Sequence, residues 1–214
     1  MTATPSTEAS VRDRLVSAAA EVFAERGYEG TRVQEIVRRA GLSTGAIYTN
    51  FRNKAELLFA AVGTVPVNSV FTTVELAGDT AEGLRQAGHE LPRAEQPERA
   101  LLFEALVAAR RDPEVAALLR KRLLRFRSLT AHVLAAGQRD GSLAPDLDPD
   151  AAAEFCQALG MGFLLMEAAA LPHAGDAEWR HLIDRLIDAV TPTAPTPPTD
   201  PSHPSDPPRK GDLP

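Results

Sequence analysis

The residues best suited to chemistry in this chain are small, polar and mostly uncharged. Ser43, Thr44, Gly45, Tyr48, Thr49 and Asn50 lie close together, and on a helix Thr44, Gly45, Tyr48 and Thr49 share one face at three- and four-residue spacing. Leu42, Ala46, Ile47 and Phe51 then occupy the opposite face. A helix with so little bulk on its outer side can enter the ~12 Å major groove of DNA closely, where hydroxyls and a threonine methyl meet base edges. Arg32 and Lys54 flank this helix and are suited to phosphates, which fix register without reading sequence. A cation at the helix start that Lys54 occupies opposes the positive end of the helix dipole, which favours a phosphate partner. Ser43 reads either as a helix cap or as a base reader, and Asn50 either as an end cap or as a DNA contact. Thr31 reads first as a cap whose hydroxyl can also donate to a phosphate.

Other chemistries lack their residues. Cys156 is the single cysteine, which excludes an intrachain disulfide and a cysteine-based zinc cluster. The five histidines show no i, i+4 pair, and no triad, phosphate loop or paired-carboxylate motif stands out. The expectation is a protein that is not an enzyme and carries no metal or cofactor. The net charge of -6 excludes a chain that is basic overall, yet residues 31–54 hold five basic side chains to one acidic. That local excess suits a polyanion. Arg120, Lys121, Arg122, Arg125 and Arg127 form a second basic run, read as a solvated face. With no signal peptide and no stretch apolar enough to span a bilayer, a cytoplasmic protein without a membrane partner is expected.

The elements that must position the small-residue face are helical. Val11, Leu15, Ala18, Ala19, Val22 and Phe23 make an apolar stripe that Gly27 ends. Thr31 stands three residues before Gln34, a capping-box spacing for a second helix closed by Gly41. Asn53, three before Glu56, opens a fourth helix interrupted near Pro66. Further helices are expected over about 80–90, 97–111, 113–141, 149–171 and 176–190, two of them started by Asp-Pro pairs at 112–113 and 148–149. Residues 191–214 hold 9 of the 17 prolines and almost nothing apolar, and are expected to be disordered, like residues 1–8.

Residues 31–57, TRVQEIVRRAGLSTGAIYTNFRNKAEL, therefore read as a helix, a tight turn and a short second helix. The run from about Ser10 to Leu58, with Phe23, Gly27, Tyr28, Thr31, Ile36, Ala40, Gly41, Ser43, Gly45, Tyr48, Phe51, Lys54 and Leu57 at ungapped spacing, resembles the DNA-binding domain of the TetR family of transcriptional regulators. The resemblance implies an all-α protein: an N-terminal three-helix DNA-binding domain with a helix-turn-helix (9–55), then a larger helical ligand-binding and dimerisation domain (56–190). It implies double-stranded operator DNA as a partner and a homodimer responsive to a small molecule, most simply a repressor. An activator of the same fold, or a helical interaction protein without DNA binding, are the alternatives.

For the dimer, the helix over 149–171 is apolar nearly all round and must be covered on every side. Phe155, Leu159 and Phe163 on it, with Trp179, Leu182, Ile183, Leu186 and Ile187 on the last helix, suit a four-helix bundle between two chains. Alternatively both helices complete the core of one chain. Phe103, Val107, Phe126 and Met161 are the candidate lining for a largely apolar effector, although a core would use the same residues.

Overall fold

Ser10 opens the first helix as a reciprocal cap: its hydroxyl accepts from the Asp13 amide at 3.1 Å, and the Asp13 carboxylate takes the Ser10 N–H at 3.2 Å. In the computed structural model, which describes residues 10–63, 73–74, 76–93 and 97–192, the chain is helical from there onward. The helices are α1 (Val11–Gly30), α2 (Val33–Arg39), α3 (Thr44–Asn50), α4 (Lys54–Val62), α5 (Thr80–Glu90), α6 (Pro97–Ala108), α7 (Pro113–Asp140), α8 (Pro149–Ala168) and α9 (Asp176–Ala189). Among the described residues there is no strand, and no helix is long and apolar enough to cross a membrane. Residues 1–9, the expected break near Pro66 and the tail from 193 lie outside the described residues.

Most boundaries follow the expected caps. Asn53 accepts from the Glu56 amide at 2.8 Å, Asp112 from those of Glu114 and Val115, and Asp148 from that of Ala151 at 2.7 Å. Two places differ. The Thr31–Gln34 capping box is not formed: Arg32 is the N-cap of α2 without a side-chain bond, and Thr31 is buried, its hydroxyl donating to the Gly27 carbonyl at 2.6 Å. Thr31 closes α1 instead of opening α2. Gly27 does not end α1 outright but kinks it, with φ 68°. A Cβ there would stand 3.0 Å from a Glu104 carboxylate oxygen, so backbone conformation and close approach both call for glycine.

One apolar cluster joins α1, α2, α3 and α4 through Leu15, Phe23, Ile36, Ile47 and Leu58, and it continues into α6 and α7 through Leu101, Ala105 and Val115. α4 therefore packs on both sides of the 55/56 boundary. A second, smaller cluster, Ala81, Leu134, Leu143 and Ala153, holds α5, α7 and α8 together at the far end. There Arg85 bridges α5 to Asp184 and Asp188 of α9, and the Arg85 and His89 hydrogen bonds hold the Asp184 carboxyl below its ordinary range.

Polar contacts fasten the helix-turn-helix unit to the rest. The Tyr28 amide donates to Glu104 at 2.6 Å, the Tyr28 hydroxyl to Asp112 at 2.7 Å, and the Asn53 amide group to Glu114 at 2.7 Å. The Tyr28 hydrogen bond, helped by the α7 amides, holds Asp112 below the usual carboxylate range; burial and then Asp112 push the Tyr28 phenol up. A depressed carboxylate contributes stability that is present above its ordinary value and lost as pH falls through the folded one. A raised phenol contributes stability that is lost as pH rises into the tyrosine range. Tyr28→Phe should cost about 1.5–3 kcal/mol at neutral pH, because the bond removed ends on a charged group. Its stability should also decline less steeply than the wild type's between about pH 5 and about pH 3. Urea melts across that range check both.

Candidate nucleic-acid interface

The turn between α2 and α3 is built on Gly41, whose φ of 64° suits a residue without a side chain. The Leu42 amide closes back on the Val37 carbonyl at 3.1 Å, and Arg14 of α1 clamps the turn by donating to Ala40 at 2.7 Å and Gly41 at 3.3 Å. Ile47 and Phe51 are buried, and the Arg12 guanidinium lies 4.7 Å over the Phe51 ring. With its inner face fixed, α3 turns Ser43, Thr44, Gly45, Tyr48 and Thr49 outward, and Tyr48 is 64% exposed.

Local hydrogen bonds decide how these side chains present themselves. Ser43 occupies the N-cap position but its hydroxyl makes no capping bond. Thr49 donates its hydroxyl to the Gly45 carbonyl at 3.1 Å, which fixes its rotamer. Asn50 is half-buried and donates to the Ala46 carbonyl at 2.8 Å, the end-closing role among its two readings.

The flanking cations differ in what they meet within the chain. Arg32 is exposed as expected. The Lys54 ammonium, however, donates to the Tyr28 carbonyl at 2.7 Å and the Thr31 carbonyl at 3.4 Å, and stands 4.2 Å over the Tyr28 ring. It neutralises the carbonyl end of α1, where a cation complements the dipole. Thr31, buried and bonded to Gly27, likewise offers no donor to a phosphate. Arg52, which belongs to no helical stripe and so gives no signal in the sequence, stands immediately after α3. Its side chain is 84% exposed and, among the described residues, makes only a solvated pair to Glu56. Arg32 and Arg52 are therefore exposed cations on either side of α3.

The second domain divides the remaining candidates. Phe163 is buried against its own chain, its ring edge-on to Trp179 at 5.0 Å, while Trp179 donates its indole N–H to the Gly88 carbonyl at 2.9 Å. Ile183 is buried and Ile187 packs on the second cluster. These side chains complete the protomer. Leu159 is half-buried, whereas Phe155 (59%), Leu182 (48%) and Leu186 (43%) stay exposed, joined by Leu165. Of the four candidate pocket residues, Phe103, Phe126 and Met161 are half-buried, and Val107 is exposed on the surface. An open groove of about 340 Å³ runs along α7 past Ala116, Leu119, Arg120, Leu123 and Leu124; it contains none of the four.

Two stretches of the chain match known families. Residues 15–61 match the family described as bacterial regulatory proteins, tetR family, and residues 80–192 match the C-terminal domain of the BetI-type transcriptional repressor, more than half the chain. The chain belongs to the TetR family. Among TetR-family relatives it is 29% identical over 154 residues to the HTH-type transcriptional repressor KstR2 of Mycolicibacterium smegmatis, covering 69% of this chain and 74% of that one. A protein described as a TetR-family transcriptional regulator from Rhodococcus sp. shares the fold with a TM-score of 0.70 at 23% identity, over 85% of this chain and 98% of that one. A transcriptional regulator from Saccharomonospora viridis, solved in complex with choline, gives a TM-score of 0.62 at 22% identity, over 83% and 95%. As a TetR-family protein the chain is a helix-turn-helix transcriptional regulator, with an N-terminal DNA-binding unit and a helical C-terminal domain.

Proposed function

We propose that this regulator is a homodimeric repressor: residues 9–55 hold the operator and residues 56–190 dimerise and take a small molecule that releases it. The observation that carries the DNA half is the outer face of α3, polar, nearly free of bulk and centred on an exposed Tyr48. The repressor reading is supported by the family described for residues 80–192 and by the name of the KstR2 relative. Small-molecule response is supported by the choline complex of a protein with this fold; choline itself is not carried over at 22% identity. A ligand releases DNA by as much as it prefers the protomer arrangement that spaces the two α3 helices wrongly. Phe103, Phe126 and Met161 remain the lining proposed for it.

The test is a salt titration of variants against operator and scrambled DNA. Thr49→Ala should change base preference at one position per half-site by about 1–3 kcal/mol, with the salt dependence little altered. Tyr48→Phe removes one exposed hydroxyl and should cost about 1 kcal/mol where that hydroxyl meets a phosphate. Equal weakening on both DNAs by Thr49→Ala would show that α3 is wrongly oriented.

A further inference from the structure

The helix-turn-helix unit meets the second domain through apolar and polar contacts that hold it in different ways. α6 faces α1 and α4 with Leu101, Ala105 and Ala108, all buried in the first cluster. Two of these are alanines, too short to form ridges that lock into the grooves of a facing helix. Apolar burial is non-directional, so such a face resists separation more than it resists sliding. Hydrogen bonds are directional and weaken steeply as their angle opens.

Three hydrogen bonds meet at the corner between α6 and α7. Glu104, one turn before the end of α6, accepts from the Tyr28 amide at 2.6 Å. Asp112 accepts from the Tyr28 hydroxyl at 2.7 Å with one oxygen while the other caps α7. Glu114, in the first turn of α7, accepts from the Asn53 side-chain amide at 2.7 Å. The corner itself is fixed, because the amides of Arg110, Arg111 and Asp112 close on the Val107 and Ala108 carbonyls. Tyr28 lies in the last turn of α1, and Asn53 caps α4 three residues after the end of α3. The corner therefore grips the unit at two separate points. One grip leaves a pivot, and the second removes rotation about it.

We infer that Tyr28 with Asp112, and Asn53 with Glu114, form a two-point latch that sets the distance and angle between the two α3 helices of a dimer, and with them the half-site spacing the protein accepts. The inference rests on the homodimeric operator reading above and adds the residues that determine spacing specificity. These are positioning residues and need not touch DNA. One base pair more or less moves a half-site by roughly 3.4 Å and turns it by about 35°. Linked binding is lost when both half-sites cannot be engaged together.

The test uses half-sites recovered from random duplex DNA by the wild-type protein. They are rebuilt as pairs at the recovered spacing, as pairs one base pair longer or shorter, and as single half-sites. The wild type should bind the recovered spacing at least about tenfold tighter than either altered one. Tyr28→Phe combined with Glu114→Ala should narrow that preference to about threefold or less while binding a single half-site as the wild type does. Glu114→Gln keeps an acceptor for Asn53 and should keep the preference. Leu134→Ala opens a cavity in the second cluster, so it lowers the melting temperature away from the latch and should also keep the preference. Should the double variant fail to fold, Glu114→Ala alone decides, since it loses only a solvent-facing bond; it should narrow the preference part of the way. An unchanged preference in the variants that break the latch overturns the inference. So does a loss of preference in Leu134→Ala, or Glu114→Gln behaving like Glu114→Ala. Recovered DNA that holds only single half-sites would sink the homodimeric operator reading and the latch with it. Paired half-sites whose spacing the double variant still selects would sink the latch alone.

Discussion

Leu186→Asp should yield a folded monomer whose operator affinity has dropped at least a hundredfold. Leu186 is 43% exposed in the protomer, so a carboxylate there can stay hydrated while the chain is alone. Leu182 lies one turn away on α9, and Phe155 and Leu165 stand exposed on α8. Large apolar side chains exposed on two helices mark an association surface. In the dimer proposed above, two such helices from each of two protomers would close a four-helix bundle, and the introduced carboxylate would then be buried without a partner, which costs several kcal/mol. A monomer places one α3 in one half-site and forgoes the gain of linked binding, commonly 10²–10⁴. Ile183→Asp is the control. Ile183 is buried inside the protomer, one methyl 2.8 Å from where a Gly88 side chain would begin, so its replacement should unfold α9 from α5 instead. Light scattering on a sizing column, with a melt of each variant, distinguishes the outcomes. A Leu186→Asp protein that is dimeric and binds operator at full strength would falsify the placement of the interface.

The contrast between Leu186 and Ile183 also shows what the sequence conveys and what it withholds. Both lie on one apolar stripe of α9, and helical periodicity alone assigns them one fate. They separate because α5 packs against α9 through Gly88, Arg85 and His89, residues almost a hundred positions away. Local signals are legible. The Asp112-Pro113 and Asp148-Pro149 starts, the Asn53 cap and the inward set of α3 depend on neighbours within four residues. Expectation and structure part where a side chain satisfies a distant or backward backbone group. Thr31 has the spacing of an N-cap, but its hydroxyl turns back to Gly27 because the kinked end of α1 leaves a carbonyl there to be met. Val107 shares a helix with Phe103, yet α6 is covered by α1, α4, α7 and α8 on its other sides, which leaves Val107 outside. Arg122 belongs to the basic run expected as a solvated face, yet it is half-buried while Arg120, Lys121 and Arg125 are exposed, because its spacing places it on the Val115, Leu119 and Phe126 stripe of α7.

Lys54 is where the structure most changes what a mutation should do. From sequence, Lys54→Ala should weaken binding to all DNA alike and flatten its salt dependence. In the fold, the ammonium donates to the Tyr28 and Thr31 carbonyls and lies over the Tyr28 ring, so two of its three donors serve the end of α1. Removing it takes away a charge-assisted hydrogen bond, about 1.5–3 kcal/mol, and a cation–π interaction of roughly 0.5–1 kcal/mol. At roughly 2–4 °C per kcal/mol for a chain of this size, the melting temperature should drop by about 4–16 °C. The damage extends to the anchorage of the helix-turn-helix unit, because the same Tyr28 bonds Glu104 and Asp112. Arg32→Ala and Arg52→Ala should behave in the opposite way. Both side chains are exposed, so the melt should stay within about 1 °C of wild type, as surface substitutions usually do. The slope of log affinity against log salt should fall by roughly 1 for each phosphate no longer neutralised, hence by about 2 per dimer. Melting each variant and titrating it with salt on operator DNA tests both halves. If Lys54→Ala keeps its melting temperature and flattens the salt slope, the ammonium leaves the α1 carbonyls for a phosphate on the DNA. The cation that positions α3 is then Lys54 after all.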